Sequence, residues 1–209
     1  MVQFTTMAIH VDHKRRKSEI LAKSIKLFAR DGYKDVTFQL LADYCGLART
    51  ALYRYFHNKR QIFDAAILEA ERRIALQYVQ VLRTESSAAM RLERICAVVA
   101  TQLYESREFL SVIVDFILSM SHAGHDMKRR VVLHTIMVRR LFHSLVAEGV
   151  RRGEFRASLS PDAATDLLYA IAEAHVMRLT VANSASLGDA LMEYSLVIDS
   201  FKKDKPARG

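Results

Sequence analysis

Residues 32–63 read GYKDVTFQLLADYCGLARTALYRYFHNKRQIF, and the punctuation of this stretch decides the fold. Gly32 stops the helix before it, in which Ile20, Leu21, Ile25, Leu27 and Phe28 recur at helical spacing. Thr37 is placed to cap a second helix over 38–44, with Leu40 and Leu41 turned inward. Cys45-Gly46-Leu47 makes a tight connection, and Gly46 supplies the positive φ that a short turn between crossing helices often needs. A short third helix over 48–55 follows. Asn58 then caps a long fourth helix, with Gln61 three residues on to close a capping box. Three short helices with a glycine turn between the second and third describe a helix-turn-helix, whose third helix fits the major groove of DNA.

Outward from this stretch the chain stays helical. It has 209 residues with 2 prolines and 7 glycines, too few breakers for a barrel or sandwich. Further helices are expected over 59–82, 88–104, 105–119 and 127–147, the last ended by Gly149 and Gly153. Phe109 to Val114 alone resembles a strand, but its neighbours favour helix. Ser160-Pro161-Asp162 gives a cap, a first-turn proline and an acid, and starts a helix reaching about 180. Ser186 and Asp189 start the last helix, which ends near Phe201. Residues 1–12 read as frayed and 202–209 as a loose basic tail. The expected architecture is all-α with about nine helices. A helix-turn-helix domain over 13–60 precedes a helical body over 61–203.

Charge separates these parts. Residues 1–63 hold 12 Lys/Arg against 5 Asp/Glu, whereas residues 64–209 hold 19 against 18. A basic head on a nearly neutral body suits a polyanion-binding module joined to something else. Cys45 and Cys96 offer neither a disulfide framework nor zinc spacing. No leader peptide or membrane-spanning run is visible, so a reducing cytoplasm is expected, with no membrane partner. No GxSxG, HExxH, phosphate-binding glycine loop or CxxC occurs, so neither an enzyme nor a cofactor is expected. His122, His125 and Asp126 invite a metal reading. They have no further ligands at a convincing spacing, so an exposed polar loop is expected and no metal.

Gly32, Val36-Thr37, Leu41-Ala42, Gly46-Leu47, Leu52-Tyr53-Arg54-Tyr55-Phe56 and Lys59 form a specific pattern. Over roughly residues 15–65 the chain resembles the tetracycline-repressor (TetR/AcrR) family of bacterial transcriptional regulators. The resemblance implies a DNA-contacting set of Lys14, Arg15, Thr37, Phe38, Ala48, Arg49, Thr50, Tyr53, Arg54, Tyr55 and Lys59. In it Thr37 caps the second helix and offers a phosphate its hydroxyl or amide. Arg49 either reads a guanine or holds a phosphate. Tyr53 and Tyr55 either donate to phosphates or pack the corner. Lys59 is expected on a phosphate, helped by the dipole of the fourth helix. Ala48 stands where relatives often carry Ser or Thr, which removes a cap, and Thr50 replaces a usual small residue.

The resemblance further implies a homodimer on an operator of double-stranded DNA, released by a small organic effector. Cys96, Tyr104, Phe109, Phe116, Met120, His134 and Met137 mix apolar bulk with polar tips, as pocket linings do and as ordinary cores also do. A dimer surface is expected on the last two helices, at Leu167, Leu168, Ile171, Ala174 and His175 and at Leu187, Leu191, Tyr194 and Ile198. The function expected is a ligand-responsive repressor. The alternative is a DNA-binding regulator or activator without a small-molecule effector.

Overall fold

A computed structural model describes residues 3–119, 125–182, 184 and 186–202. Nine α-helices occur among them. They are α1 Gln3–Asp35, α2 Phe38–Cys45, α3 Arg49–Tyr53, α4 Lys59–Thr84 and α5 Ala88–Glu105. Then come α6 Arg107–Ser119, α7 His125–Arg151, α8 Pro161–Met177 and α9 Leu187–Phe201. A π-helical turn, Arg178–Ala182, extends α8. None of the helices among the described residues is long and apolar enough to cross a membrane.

Capping explains where the helices start. Thr37 accepts from the Leu40 amide at 3.1 Å, and Asn58 accepts from the Gln61 amide at 2.9 Å. Gln61 reaches back to the His57 amide at 2.8 Å, which completes a reciprocal box one residue earlier than expected. Ser87, Ser160 and Ser186 cap α5, α8 and α9 in the same way.

Some boundaries differ from the sequence reading. Helix α1 starts at Gln3, because nothing between residues 3 and 31 interrupts it. Gly32 lies within the assigned span, but its φ of 76° and ψ of 164° take the chain out of helical geometry there, as expected of a stop. Helix α7 runs through Gly149 to Arg151, and the positive φ falls on Gly153. Gly149 has another task. A Cβ there would lie 2.3 Å from the Phe155 ring, so the missing side chain is what admits that ring.

The chain divides into two compact units, Met1–Arg73 with Glu108–Ser119, and Ile74–Arg107 with Met120–Gly209. In the first, α2 packs on α1 and α3 on α2. Leu27, Phe28, Val36, Leu41, Leu52, Ile62 and Phe63 are fully buried there. An aromatic cluster sits alongside. Phe63 meets Phe28 at 5.0 Å, Phe116 at 5.0 Å and Phe109 at 5.9 Å between ring centroids.

In the second unit α5 packs against α7 and α9, and α7 against α8. Leu92, Ile95, Cys96, Phe142, Leu168, Tyr194 and Ile198 share one core. Arg91 of α5 pairs with Glu148 of α7 at 3.2 Å, and Glu154 accepts from Ser87 and the Ala89 amide, each at 2.8 Å.

Candidate nucleic-acid interface

The turn between α2 and α3 is built on Gly46, whose φ of 69° and ψ of 39° are left-handed. Its amide bonds back to α2, and the Leu47 amide reaches the Ala42 carbonyl at 2.9 Å. Lys23 closes the same helix end from α1, its ammonium 3.4 Å from the Cys45 carbonyl. Helix α3 has five residues and one buried anchor, Leu52. Around that anchor Ala48, Arg49, Thr50, Tyr53 and Arg54 are exposed. Ala48 occupies the N-cap position in extended geometry with no side-chain cap bond, as its methyl group requires.

Arg49 and Tyr53, one helical turn apart, act as a pair. A guanidinium nitrogen of Arg49 donates to the Tyr53 hydroxyl at 3.2 Å, and the group lies 5.7 Å from the ring centroid. The Tyr53 ring also packs on Phe38, 4.6 Å between centroids. Phe38 therefore positions Tyr53 from half-buried ground. Thr37 and Tyr53 stay exposed, while Tyr55 is half-buried. His13 stacks on the Tyr55 ring at 4.6 Å, and Lys17 stands 5.1 Å from the Phe56 ring centroid. Lys14 and Arg15, on the same part of α1, are exposed. The arrangement collects guanidinium, hydroxyl and ammonium donors around a short helix held on one leucine. Such donors serve phosphate oxygens and base edges.

Lys59, the first residue of α4, is engaged by the protein's own backbone. Its ammonium donates to the carbonyls of Tyr33 at 2.8 Å, Lys34 at 3.1 Å and Val36 at 2.7 Å. It also lies 4.6 Å from the Tyr33 ring centroid. Burial lowers its pKa, opposed by Asp35. The contacts of Lys23, His13 and Lys59 join residues far apart in sequence, which no local spacing announces.

Of the residues expected to line an effector pocket, Phe109 and Phe116 belong to the first unit and Cys96, Tyr104, His134 and Met137 to the second. Phe109 and Phe116 are buried in the aromatic cluster of the first unit, and Cys96 in the core of the second. Burial raises the thiol pKa of Cys96. Tyr104 is half-buried and its hydroxyl lies 2.9 Å from Nδ1 of His175, whose Nε2 lies 2.9 Å from Glu193. Arg178 donates to the other Glu193 oxygen at 2.8 Å and, with burial opposing, holds that carboxyl below its usual range. His134 is half-buried and its pKa is lowered by burial, while Met137 is exposed. Met120 and His122 lie outside the described residues. No group of three or more metal-binding side chains occurs among the described residues.

The two helices expected to dimerise divide their faces. Leu168, His175, Tyr194 and Ile198 are buried within one protomer, which takes them off its surface. Ile171, Ala174 and Leu187 are half-buried, whereas Leu167 and Leu191 are exposed. Met192 and Leu196, which the sequence reading did not single out, are 63% and 65% exposed.

A basic helix-turn-helix head carried on a helical body defines a DNA-binding transcriptional regulator. Residues 20–66 match the family model described as bacterial regulatory proteins, tetR family. The chain is 25% identical over 146 residues to the nucleoid occlusion factor SlmA of Marinobacter nauticus, covering 70% of this chain and 72% of that one. In fold it resembles a TetR transcription regulator from Haloarcula marismortui, with a TM-score of 0.78 at 19% identity, over 91% of this chain and 100% of that one. It also resembles the fatty acid degradation regulator FadR from Bacillus halodurans, with a TM-score of 0.68 at 15% identity, over 88% and 94%. These solved structures share the fold of this chain.

Proposed function

We propose that this protein is a dimeric cytoplasmic repressor. Its head, residues 13–60, binds a roughly palindromic operator, and a small, mostly apolar organic effector acting on the body, residues 61–203, releases it. The observation that carries the DNA reading is the exposed set Arg49, Thr50, Tyr53 and Arg54 around the single buried anchor Leu52. Thr37, Phe38, Ala48, Tyr55, Lys14 and Arg15 complete the surface offered to the duplex. The dimer face rests on Leu167, Leu191, Met192 and Leu196, exposed apolar side chains of α8 and α9. The nearly neutral body favours an effector of low charge, with the Tyr104 hydroxyl as a polar tip. The name of the Bacillus halodurans relative, a fatty acid degradation regulator, is in keeping with an apolar effector.

A second reading has no small-molecule effector. It is favoured by the similarity, over 70% of this chain, to a protein named as a nucleoid occlusion factor. Footprinting on genomic DNA, repeated with fatty acids and other apolar organic acids, separates the readings. Release of the protected site supports the first, and unchanged protection across the panel supports the second. The absence of any protected site defeats both.

A further inference from the structure

The ammonium of Lys59 sits where two opposing effects meet. Lys59 is the first residue of α4, and a cation at a helix N-terminus faces the positive end of the helix dipole. The compensation comes from outside α4. Three carbonyls, those of Tyr33, Lys34 and Val36, converge on the Nζ atom at 2.8, 3.1 and 2.7 Å. An ammonium has three N–H donors, and all three are used. The face of the Tyr33 ring adds a cation–π contact at 4.6 Å.

Those carbonyls belong to the strap between Gly32, where the chain leaves helical geometry, and Thr37, the cap of α2. The strap is tied at other points too. Val36 is fully buried, and the Tyr33 ring packs on Phe63 at 4.8 Å and on Phe116 at 4.6 Å. The next residue of α4 joins the same cluster, for Arg60 pairs with Asp64 at 2.9 Å and lies 4.8 Å from the Phe116 ring centroid.

We propose that Lys59 is a positioning residue: its ammonium clamps the 33–36 strap to the first turn of α4, fixes where α2 and hence α3 begin, and makes no phosphate contact itself. The proposal rests on the DNA-binding reading of the head. A phosphate contact would require the ammonium to leave three carbonyls and an aromatic face.

Full-length wild type, Lys59→Met and Lys59→Arg separate the two roles. The probes are a mixed-sequence 30-bp duplex and a duplex selected by the wild type from a random pool. Affinities are measured against KCl at a temperature where circular dichroism shows each variant folded. Lys59→Met is expected to bind the selected duplex at least about tenfold more weakly, with an unchanged slope of log K against log [salt], because no phosphate contact is lost. Lys59→Arg is expected to bind as weakly as Lys59→Met, because a planar guanidinium cannot direct three donors onto carbonyls gathered around one atom. Both should melt about 3 °C or more below wild type.

The proposal is overturned if Lys59→Met flattens the slope by about 0.9 per lysine while Lys59→Arg binds like wild type. It is also overturned if both variants melt low yet bind normally, which would make Lys59 structural only. If Lys59→Met does not fold, Lys59→Arg and lysine methylation of the wild type decide. Lys59 should resist methylation in the free protein as strongly as in the complex, and protection that appears only with DNA overturns the clamp. Failure of the wild type to bind either duplex defeats the DNA-binding reading and the positioning role with it, while methylation still judges the clamp.

Discussion

Thr37 holds the start of α2 with one hydroxyl, 3.1 Å from the Leu40 amide. Thr37→Ala should cost about 1 kcal/mol by chemical denaturation, as cap removal does, and Thr37→Ser should restore most of it. Unchanged stability in the alanine variant would show that the cap contributes nothing. At Gly46 space is not the constraint, since nothing lies within 4 Å of a Cβ built there. The φ of 69° alone penalises a side chain, so Gly46→Ala should be destabilised by about 1 kcal/mol and Gly46→Asn by less. Equal losses in the two variants would contradict this. His134 adds a pH dependence. Burial lowers its folded pKa below the ordinary 6.5, so the unfolded chain takes up the proton more readily. Stability should therefore fall as pH drops below about 6.5, and His134→Gln should flatten that part of the profile. An identical pH–stability curve for the variant would remove His134 from the account.

Elements show what could be read in the sequence and what could not. The caps at Thr37, Asn58, Ser87, Ser160 and Ser186 and the left-handed Gly46 were legible, because each acts within four residues of chain. So was the missing cap at Ala48. Gly149 was misread as a stop because glycine ends helices and also admits close neighbours. Only the fold brings Phe155 to the place where a Cβ would stand. Gly149→Ala should therefore cost about 1–3 kcal/mol by overpacking, although alanine is the better helix former. A stability gain in that variant would show that the Phe155 ring moves freely aside. Helical periodicity told which residues of α8 and α9 are apolar. It did not tell which apolar side meets α5 and α7, and this is why Leu168, Tyr194 and Ile198 proved to be core and not surface. Leu191, which remains exposed, tests the other side. Leu191→Glu should shift the protein toward monomer in sedimentation at micromolar concentration with little loss of helix. A dimer as tight as wild type would move the interface elsewhere.

At the scale of the whole molecule, the division of charge between residues 1–63 and 64–209 is a sequence property that the fold turns into a function. The basic residues concentrate in the part that carries α2 and α3, while the rest forms a core of its own. The proposed effector surface is the least legible feature. Phe, Met and Tyr fill cores and line pockets alike, and Phe109 and Phe116 belong to an aromatic core. The DNA-binding head is the central claim. Its most direct test is the salt dependence of full-length protein binding to a duplex selected from a random pool, read by fluorescence anisotropy beside a scrambled duplex. Phosphate contacts from a dimeric head predict a log–log slope of about −5 or steeper, with the selected duplex bound at least about a thousandfold more tightly than the scrambled one. Equal affinity for both duplexes, or binding indifferent to salt, would contradict the account.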